Sequence, residues 1–252
     1  MTPDRNPKPG PSGRPPTTKA ETPALRSKRA WAVFLSIAVL ALIADLWSKD
    51  LAFRFVHDRP VVVEREAVLE LGPRRLNEII DAQTGYREPV VVVPHILELT
   101  LVLNPGAVFG IGAGQRWIFV FFTLIAMGFV TWAFGTWTHA KQWPAHACAG
   151  LLVGGGLGNL YDRLVFACVR DFLHPLPTAT IPGTGGRPLW PYVSNVADAL
   201  LIVGIFGLVL FAWFGGPQPA RERVNFSGDA PSTDAPNEDE RRDDKGAEND
   251  QA

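Results

Sequence analysis

Four runs of this chain, at about residues 31–49, 116–137, 144–166 and 193–213, are apolar over nearly the length a helix needs to cross about 30 Å of hydrocarbon. A bilayer supplies no water to unpaired peptide groups, so such runs are confined to helices that satisfy their own backbone. The third run is unusual. From residue 154 to 171 it reads Gly-Gly-Gly-Leu-Gly-Asn-Leu-Tyr-Asp-Arg-Leu-Val-Phe-Ala-Cys-Val-Arg-Asp, placing Asn159, Asp162, Arg163 and Asp171 where an ordinary anchor has leucine. Ionisable groups at that depth are costly and point to function by default. The glycines ahead of them let another helix backbone approach closely.

The averages conceal this. The chain is 47% hydrophobic, and its mean hydropathy of +0.08 mixes the apolar runs with polar tails and a polar loop. A net charge of −1 says nothing about nucleic acid, but no basic stripe with interleaved aromatics appears, and no nucleic-acid partner is expected. The two cysteines, Cys148 and Cys168, lie near opposite ends of one helical run, about 30 Å apart at helical rise, too far for a disulfide. Neither Cys-x-x-Cys nor His-Glu-x-x-His occurs, so the usual zinc signatures are missing. No internal repeat is visible.

Residues 1–28 read as a disordered tail, and Arg26, Lys28 and Arg29 ahead of the first run predict a cytoplasmic N-terminus. That run starts too late, and without a convincing cleavage site, for a removed signal peptide. Residues 29–215 are expected to form one membrane all-α domain of four transmembrane helices, N-in and C-in. Between helices 1 and 2, at about 55–112, a small outward-facing β layer is expected. Within it residues 61–63 and 90–93 are valine runs, and residues 96–103 alternate with Leu97, Leu99, Leu101 and Leu103 on one side, a period-2 strand. A Pro- and Gly-rich insert at 175–191 precedes helix 4. Arg221 and Arg223 follow that helix, and the acidic residues 216–252 read as a second disordered cytoplasmic tail.

This topology puts the unusual polar residues at one level. Asp45 and Lys49 lie late in helix 1, and Asn159, Asp162 and Arg163 late in helix 3. Asn195 and Asp198 lie early in helix 4, and Asn104 ends the outward strand. Asn159, Asp162 and Arg163 stand at i, i+3 and i+4 on one face, with Arg163 able to hold a carboxylate in a fork. Asp45 and Lys49 read on spacing alone as an ion pair at a helix end. Asp171 follows helix 3 and can fold back toward Asp198. Two carboxylates at a half-dry boundary cannot both ionise cheaply, and such a pair can deprotonate a water and protonate a leaving amine. The plainer alternative is that these carboxylates only neutralise Arg163, Arg170 and Lys49. A proton-coupled carrier would place them near the midplane of repeated halves. A serine hydrolase built on Ser194 and His174 lacks a nucleophile elbow.

The blocks Asp45-x-x-Ser48-Lys49, Asn104-x-Gly106-Ala107-x-Phe109-Gly110, Gly154-Gly155-x-x-Gly158-Asn159-x-x-Asp162-Arg163, Val169-x-Asp171-Phe172 and Asn195-x-Ala197-Asp198 together resemble the bacterial lipoprotein signal peptidase family, signal peptidase II. The resemblance implies an aspartyl endopeptidase of the bacterial inner membrane, with its site at the periplasmic face. Its substrates would be diacylglyceryl-modified prolipoproteins, cut just before the lipidated cysteine. By motif, Asp171 and Asp198 would be the catalytic dyad. Asp45, Lys49, Asn104, Gly106, Asn159, Asp162, Arg163 and Asn195 would support it or touch substrate. It also implies membrane lipids as partners, no nucleic acid, no metal or organic cofactor, and a monomer. Ser194, Val108 and Arg170 depart from the family pattern, as do the long insert, the long loop after helix 1 and both extended tails.

Overall fold

The computed structural model describes residues 22–106 and 115–214. Most of the first tail, at 1–21, the acidic tail with Arg221 and Arg223, and the Ala107, Val108, Phe109 and Gly110 part of the turn motif lie outside the described residues.

Four long helices, α1 (Lys28–Phe55), α4 (Arg116–Trp137), α5 (Trp143–Val165) and α6 (Val196–Phe214), form the bundle. Between α1 and α4 come α2 (Arg65–Leu71), α3 (Glu78–Thr84), β1 (Val90–Val93) and β2 (Leu97–Asn104), and β3 (Val169–Pro175) follows α5. Helices α1, α4 and α6 are long and apolar enough to cross a membrane. They leave Phe121, Phe122 and Ile125 of α4 and Ile202, Val203 and Phe206 of α6 exposed. A continuous apolar face of this kind is a liability in water and the expected outer surface in lipid. The chain is a membrane protein.

Helix α5 is the glycine-rich one, and it packs against α1, α4 and α6. A Cβ added at Gly150 would lie 2.6 Å from the Phe34 carbonyl oxygen, and one at Gly154 would overlap the Ala38 carbonyl. Helices α1 and α5 therefore run parallel with their backbones in direct contact, as small residues at such spacing allow.

Helix α1 does not stop at Lys49. It continues through Phe55, because Ala52 and Phe53 bury themselves in an apolar cluster with Val68, Leu76, Ile79, Leu101 and Phe172. Asp45 and Lys49 are consequently internal to the helix, not at its end.

The outward region is only partly β. Residues 65–71 and 78–84 form helices, each ended by a glycine with positive φ, Gly72 at 73° and Gly85 at 68°. The 61–63 valine run is not a strand. The Gln83 side chain pairs with the Val62 backbone instead, accepting from its N–H at 2.9 Å and donating to its carbonyl at 2.8 Å. Strands β1, β2 and β3 form an antiparallel sheet in that order, so its third member comes from beyond α5. The expected alternation holds on β2, where Leu101 and Leu103 are buried. The register sets Val102 opposite Asp171 and Asn104 opposite Val169.

Candidate active site

Two pieces of backbone geometry bring the chemistry together. Strand β3 is pinned to the chain ahead of α6: Ser194 accepts from the Phe172 and Leu173 amides at 2.9 and 2.8 Å and donates its own N–H to the Leu173 carbonyl at 2.8 Å. This bridge holds Asp171 beside the first turn of α6. The Ser194 hydroxyl donates to the Leu173 carbonyl at 3.3 Å, so it is occupied in the same bridge.

The second piece is the helix start itself. Asn195 and Asp198 form a reciprocal capping box. The Asn195 Oδ1 accepts from the Asp198 N–H at 3.1 Å, and Asp198 Oδ2 accepts from the Asn195 N–H at 3.2 Å. Asp198 thus has one oxygen committed to the helix and one, Oδ1, accepting from Asn159 Nδ2 at 2.9 Å.

Asp171 is 2% exposed. Its Oδ1 accepts from Asn195 Nδ2 at 2.6 Å and its Oδ2 from Asn104 Nδ2 at 3.0 Å. Burial and the nearby Asp198 charge push its carboxyl from 3.8 up to about 7, against the pull of both amides and of Lys49. Asn195 therefore touches both carboxylates, one through its side chain and one through its backbone.

Beneath this lies a dry ionic cluster. Lys49, Asp45 and Asp162 are each fully buried. The Lys49 ammonium lies 2.7 Å from Asp45 Oδ2 and 3.4 Å from Asp162 Oδ2, and it donates to Asn159 Oδ1 at 3.0 Å. Arg170 completes the balance, its Nη2 reaching Asp162 Oδ1 at 2.9 Å and its backbone N–H reaching Asp162 Oδ2 at 3.0 Å. Two carboxylates and two cations leave no formal charge unpaired, which is what makes burial of this size tolerable. Asp45 Oδ1 also accepts from the Ala197 N–H at 2.8 Å, tying α1 to the first turn of α6. Because Lys49 is a donor only, it fixes the Asn159 amide with its oxygen inward and its NH2 toward Asp198.

Of the ten residues singled out from the sequence, eight are joined by these contacts: Asp45, Lys49, Asn104, Asn159, Asp162, Asp171, Asn195 and Asp198. Gly106 closes the Asn104 turn, donating its N–H to Asn104 Oδ1 at 2.9 Å with φ at 91°. Arg163 does not form the fork expected of it with a carboxylate. Its Nη1 donates to the Asn159 carbonyl at 3.2 Å and its guanidinium lies over the Phe119 ring, 5.3 Å from the centroid. Asp162 takes Arg170 instead, since the strand after α5 offers a backbone N–H together with the side chain. In the sequence Arg170 stood as a departure from the family pattern and as one of three cations that the carboxylates could neutralise, and its pairing with Asp162 is of that second kind. Gly158 is the other residue that spacing alone did not single out: any Cβ there would overlap the Asp45 carboxylate.

Among the described residues no group of three His, Cys, Asp or Glu side chains is placed to hold a metal ion. Burial pushes the Cys168 thiol up to about 12, so it is an inert core group. A cavity of about 310 Å³ lies beside Pro105, walled by Val68, Leu69 and Leu76 on one side and by Trp117 and Arg116 on the other.

A family model described as signal peptidase (SPase) II matches residues 37–214. A lipoprotein signal peptidase of Desulfitobacterium hafniense is 36% identical over 137 residues, which is 54% of this chain and 82% of that protein. A protein of the same name from Streptococcus pyogenes serotype M5 is 35% identical over 121 residues, 48% of this chain and 72% of its own length. A solved bacterial membrane enzyme shares the fold, with a TM-score of 0.52 at 21% identity over 77% of this chain and 93% of that one.

Proposed function

The chain belongs to the signal peptidase II family and cleaves signal peptides from prolipoproteins, and we propose that Asp171 and Asp198 carry out the hydrolysis as a pair sharing one proton. The observation that carries the assignment is the position of Asn195, bonded to Asp171 through Nδ2 and to Asp198 through its backbone N–H. It supports two carboxylates facing one reacting centre.

The raised Asp171 carboxyl keeps the shared proton near neutrality. Asp198 accepts a proton from water, and the hydroxide attacks the scissile carbonyl carbon. Asp171 gives its proton to the carbonyl oxygen, which leaves a neutral gem-diol; as the C–N bond breaks, the proton taken by Asp198 passes to the departing amine and a diol hydroxyl returns its proton to Asp171. Both N–H groups of the Asn195 amide are spoken for, by Asn159 Oδ1 and Asp171 Oδ1. Asn104, with one bond to Asp171, is therefore the amide that meets the scissile carbonyl oxygen as its charge develops, ahead of the proton from Asp171.

The four long helices all span the membrane, with the N- and C-terminal ends inside and the sheet with the dyad at the periplasmic face of the inner membrane. The substrate's cut lies just before its diacylglyceryl-modified cysteine. Its lipid chains lie between helices while the cavity beside Pro105 receives residues next to the cut. The enzyme acts as a monomer, without metal.

The test is cleavage of a diacylglyceryl-modified prolipoprotein peptide by the parent, Asp171→Asn and Asp198→Asn in detergent with chelator. Each variant is expected to lose at least about a thousandfold in rate while remaining folded. Near-normal activity in either variant overturns the dyad, and loss of parental activity with chelator overturns the metal-free mechanism.

A further inference from the structure

Helix α4 contributes neither carboxylate of the pair and none of the amides that hold them, yet Phe119, in its first turn, stands close behind both. Its place is set by packing further along the helix. Phe119, Thr123 and Met127 stand at i, i+4 and i+8 on one face, and a Cβ added at Gly156 of α5 would lie 3.3 Å from Met127 and 3.7 Å from Thr123. That face therefore rests on the glycine stripe of α5, and Phe119 comes at the end of the contact where Arg163 lies.

The Phe119 ring touches two structures that serve the carboxylates. One is the Asn104 turn. Gly106 presents its Cα to the ring so closely that an added Cβ would fall 2.8 Å from Cδ2 and 2.9 Å from Cε2. The Gly106 N–H holds Asn104 Oδ1 at 2.9 Å, which leaves Asn104 Nδ2 directed at Asp171 Oδ2, 3.0 Å away. The other structure is Arg163. Its guanidinium stands 5.3 Å from the ring centroid, within cation–π range, while its Nη1 donates to the Asn159 carbonyl at 3.2 Å. Asn159 in turn donates to Asp198 Oδ1 at 2.9 Å. One ring thus backs both halves of the pair, Asp171 through Asn104 and Asp198 through Arg163 and Asn159.

We propose that Phe119 is a positioning residue for the hydrolysis, a wall that keeps the Asn104 amide directed at Asp171 and the Arg163 guanidinium behind Asn159. The inference rests on the reading of Asp171 and Asp198 as the dyad, and it gives α4 a part in the chemistry beyond packing against α5. An aromatic ring does both tasks at once: it fills the space beside the glycine, and its quadrupole attracts the guanidinium. Leucine does only the first.

The full chain in detergent, cleaving the diacylglyceryl-modified peptide over a range of pH, is compared as parent, Phe119→Ala, Phe119→Leu, Phe119→Tyr and Asp171→Asn. In Phe119→Ala the turn loses its backing, and kcat is expected to fall by about tenfold to a hundredfold, the scale of a misplaced group, with KM little changed. The alkaline limb of the pH–rate profile should also move up, because the Asn104 amide holds the Asp171 carboxyl down and loosening it releases that pull. Asp198 from α6 and Lys49 from α1 still face Asp171, and displacement of Arg163 on α5 adds to the rise. Phe119→Leu should restore the parental limb but not the parental kcat, and Phe119→Tyr should restore both. A parental limb in Phe119→Ala makes the residue merely structural and overturns the inference, and equal kcat in the leucine and tyrosine variants overturns its Arg163 arm. The leucine–tyrosine comparison stands even where the alanine variant does not fold. Activity in Asp171→Asn is failure of the dyad; an inactive Asp171→Asn beside a parental Phe119→Ala is failure of this inference alone.

Discussion

Replacing Asn195 by alanine removes the cap on the Asp198 N–H, a donor to Asp171 and a donor to Asn159 in one step. Loss of the cap alone costs about 1 kcal/mol. The informative effect is on pH. The Asn195 amide lowers the Asp171 carboxyl, so its removal raises it further. In the parent, activity is expected to fall as pH rises through about 7, where Asp171 gives up its proton, and to fall again in acid once the pair is fully protonated. In Asn195→Ala the alkaline limb should move to higher pH at reduced kcat; a pH–rate profile checks both. A second consequence concerns stability. The folded Asp171 carboxyl lies above its unfolded value of 3.8, so between about 4 and 7 the folded chain holds a proton that the unfolded chain releases. Stability from this group is lost as pH rises through that window. Asp171→Asn should therefore melt higher than the parent by a margin that is wider at pH 8 than at pH 5.

Helix pairs decide whether those residues meet at all. Gly158 of α5 faces the Asp45 carboxylate with no space for a methyl group. Gly158→Ala should displace Asp45 from the Ala197 N–H and from Lys49, lowering cleavage at least about tenfold and lowering the thermal midpoint, as overpacked sites do. Lys49→Met is expected to be worse. It strands Asp45 and Asp162 with less neutralisation than they need, a loss of about 3–5 kcal/mol for breaking a buried pair, to be read as failure to accumulate folded protein. The sequence made the long helices legible because continuous apolar length is a signal that needs no partner. It did not reveal α2 and α3, which are short and stop at glycines, while the nearby valines pointed to strands. Strand β3 was equally hidden: its partner β2 lies about seventy residues earlier, and such pairing is set by tertiary packing. Arg170 was named only as one of three possible counter-charges, since helical spacing favoured Arg163 and only the turn into β3 brings the Arg170 N–H to Asp162.

At the scale of the whole molecule, the polar cluster sits between two apolar ones. On the side of Asp171 and Asp198, Phe53, Leu76, Leu103 and Phe172 pack together. At the other end Phe34 stacks on Phe134 with centroids 4.5 Å apart, beside Ala24, Ala30 and Ala149. If all four long helices span the membrane, Thr184 and Lys141 lie on opposite sides of it. In cells carrying Cys148→Ala and Cys168→Ala, a cysteine at Thr184 should react with a membrane-impermeant maleimide, and one at Lys141 only after the inner membrane is opened. The convergence of polar residues at one level was legible in the sequence because alternating helix direction follows from the number of runs.

The bridge between Leu173 and Ser194 also makes the intervening segment a detour that leaves and rejoins the main road at one junction. Its own hairpin closes on itself, with the Leu189 N–H donating to the Ala179 carbonyl at 2.7 Å and the Ile181 N–H to the Arg187 carbonyl at 2.9 Å. Among the described residues, none of the backbone bonds that close this hairpin reaches Asp171 or Asp198. Joining Ala179 to Leu189 through a short glycine link should leave cleavage within about twofold of the parent, as loop-length changes of this kind cost little. The turn between Ala179 and Leu189 offers a splice point where an affinity tag or reporter can be carried far from that bridge.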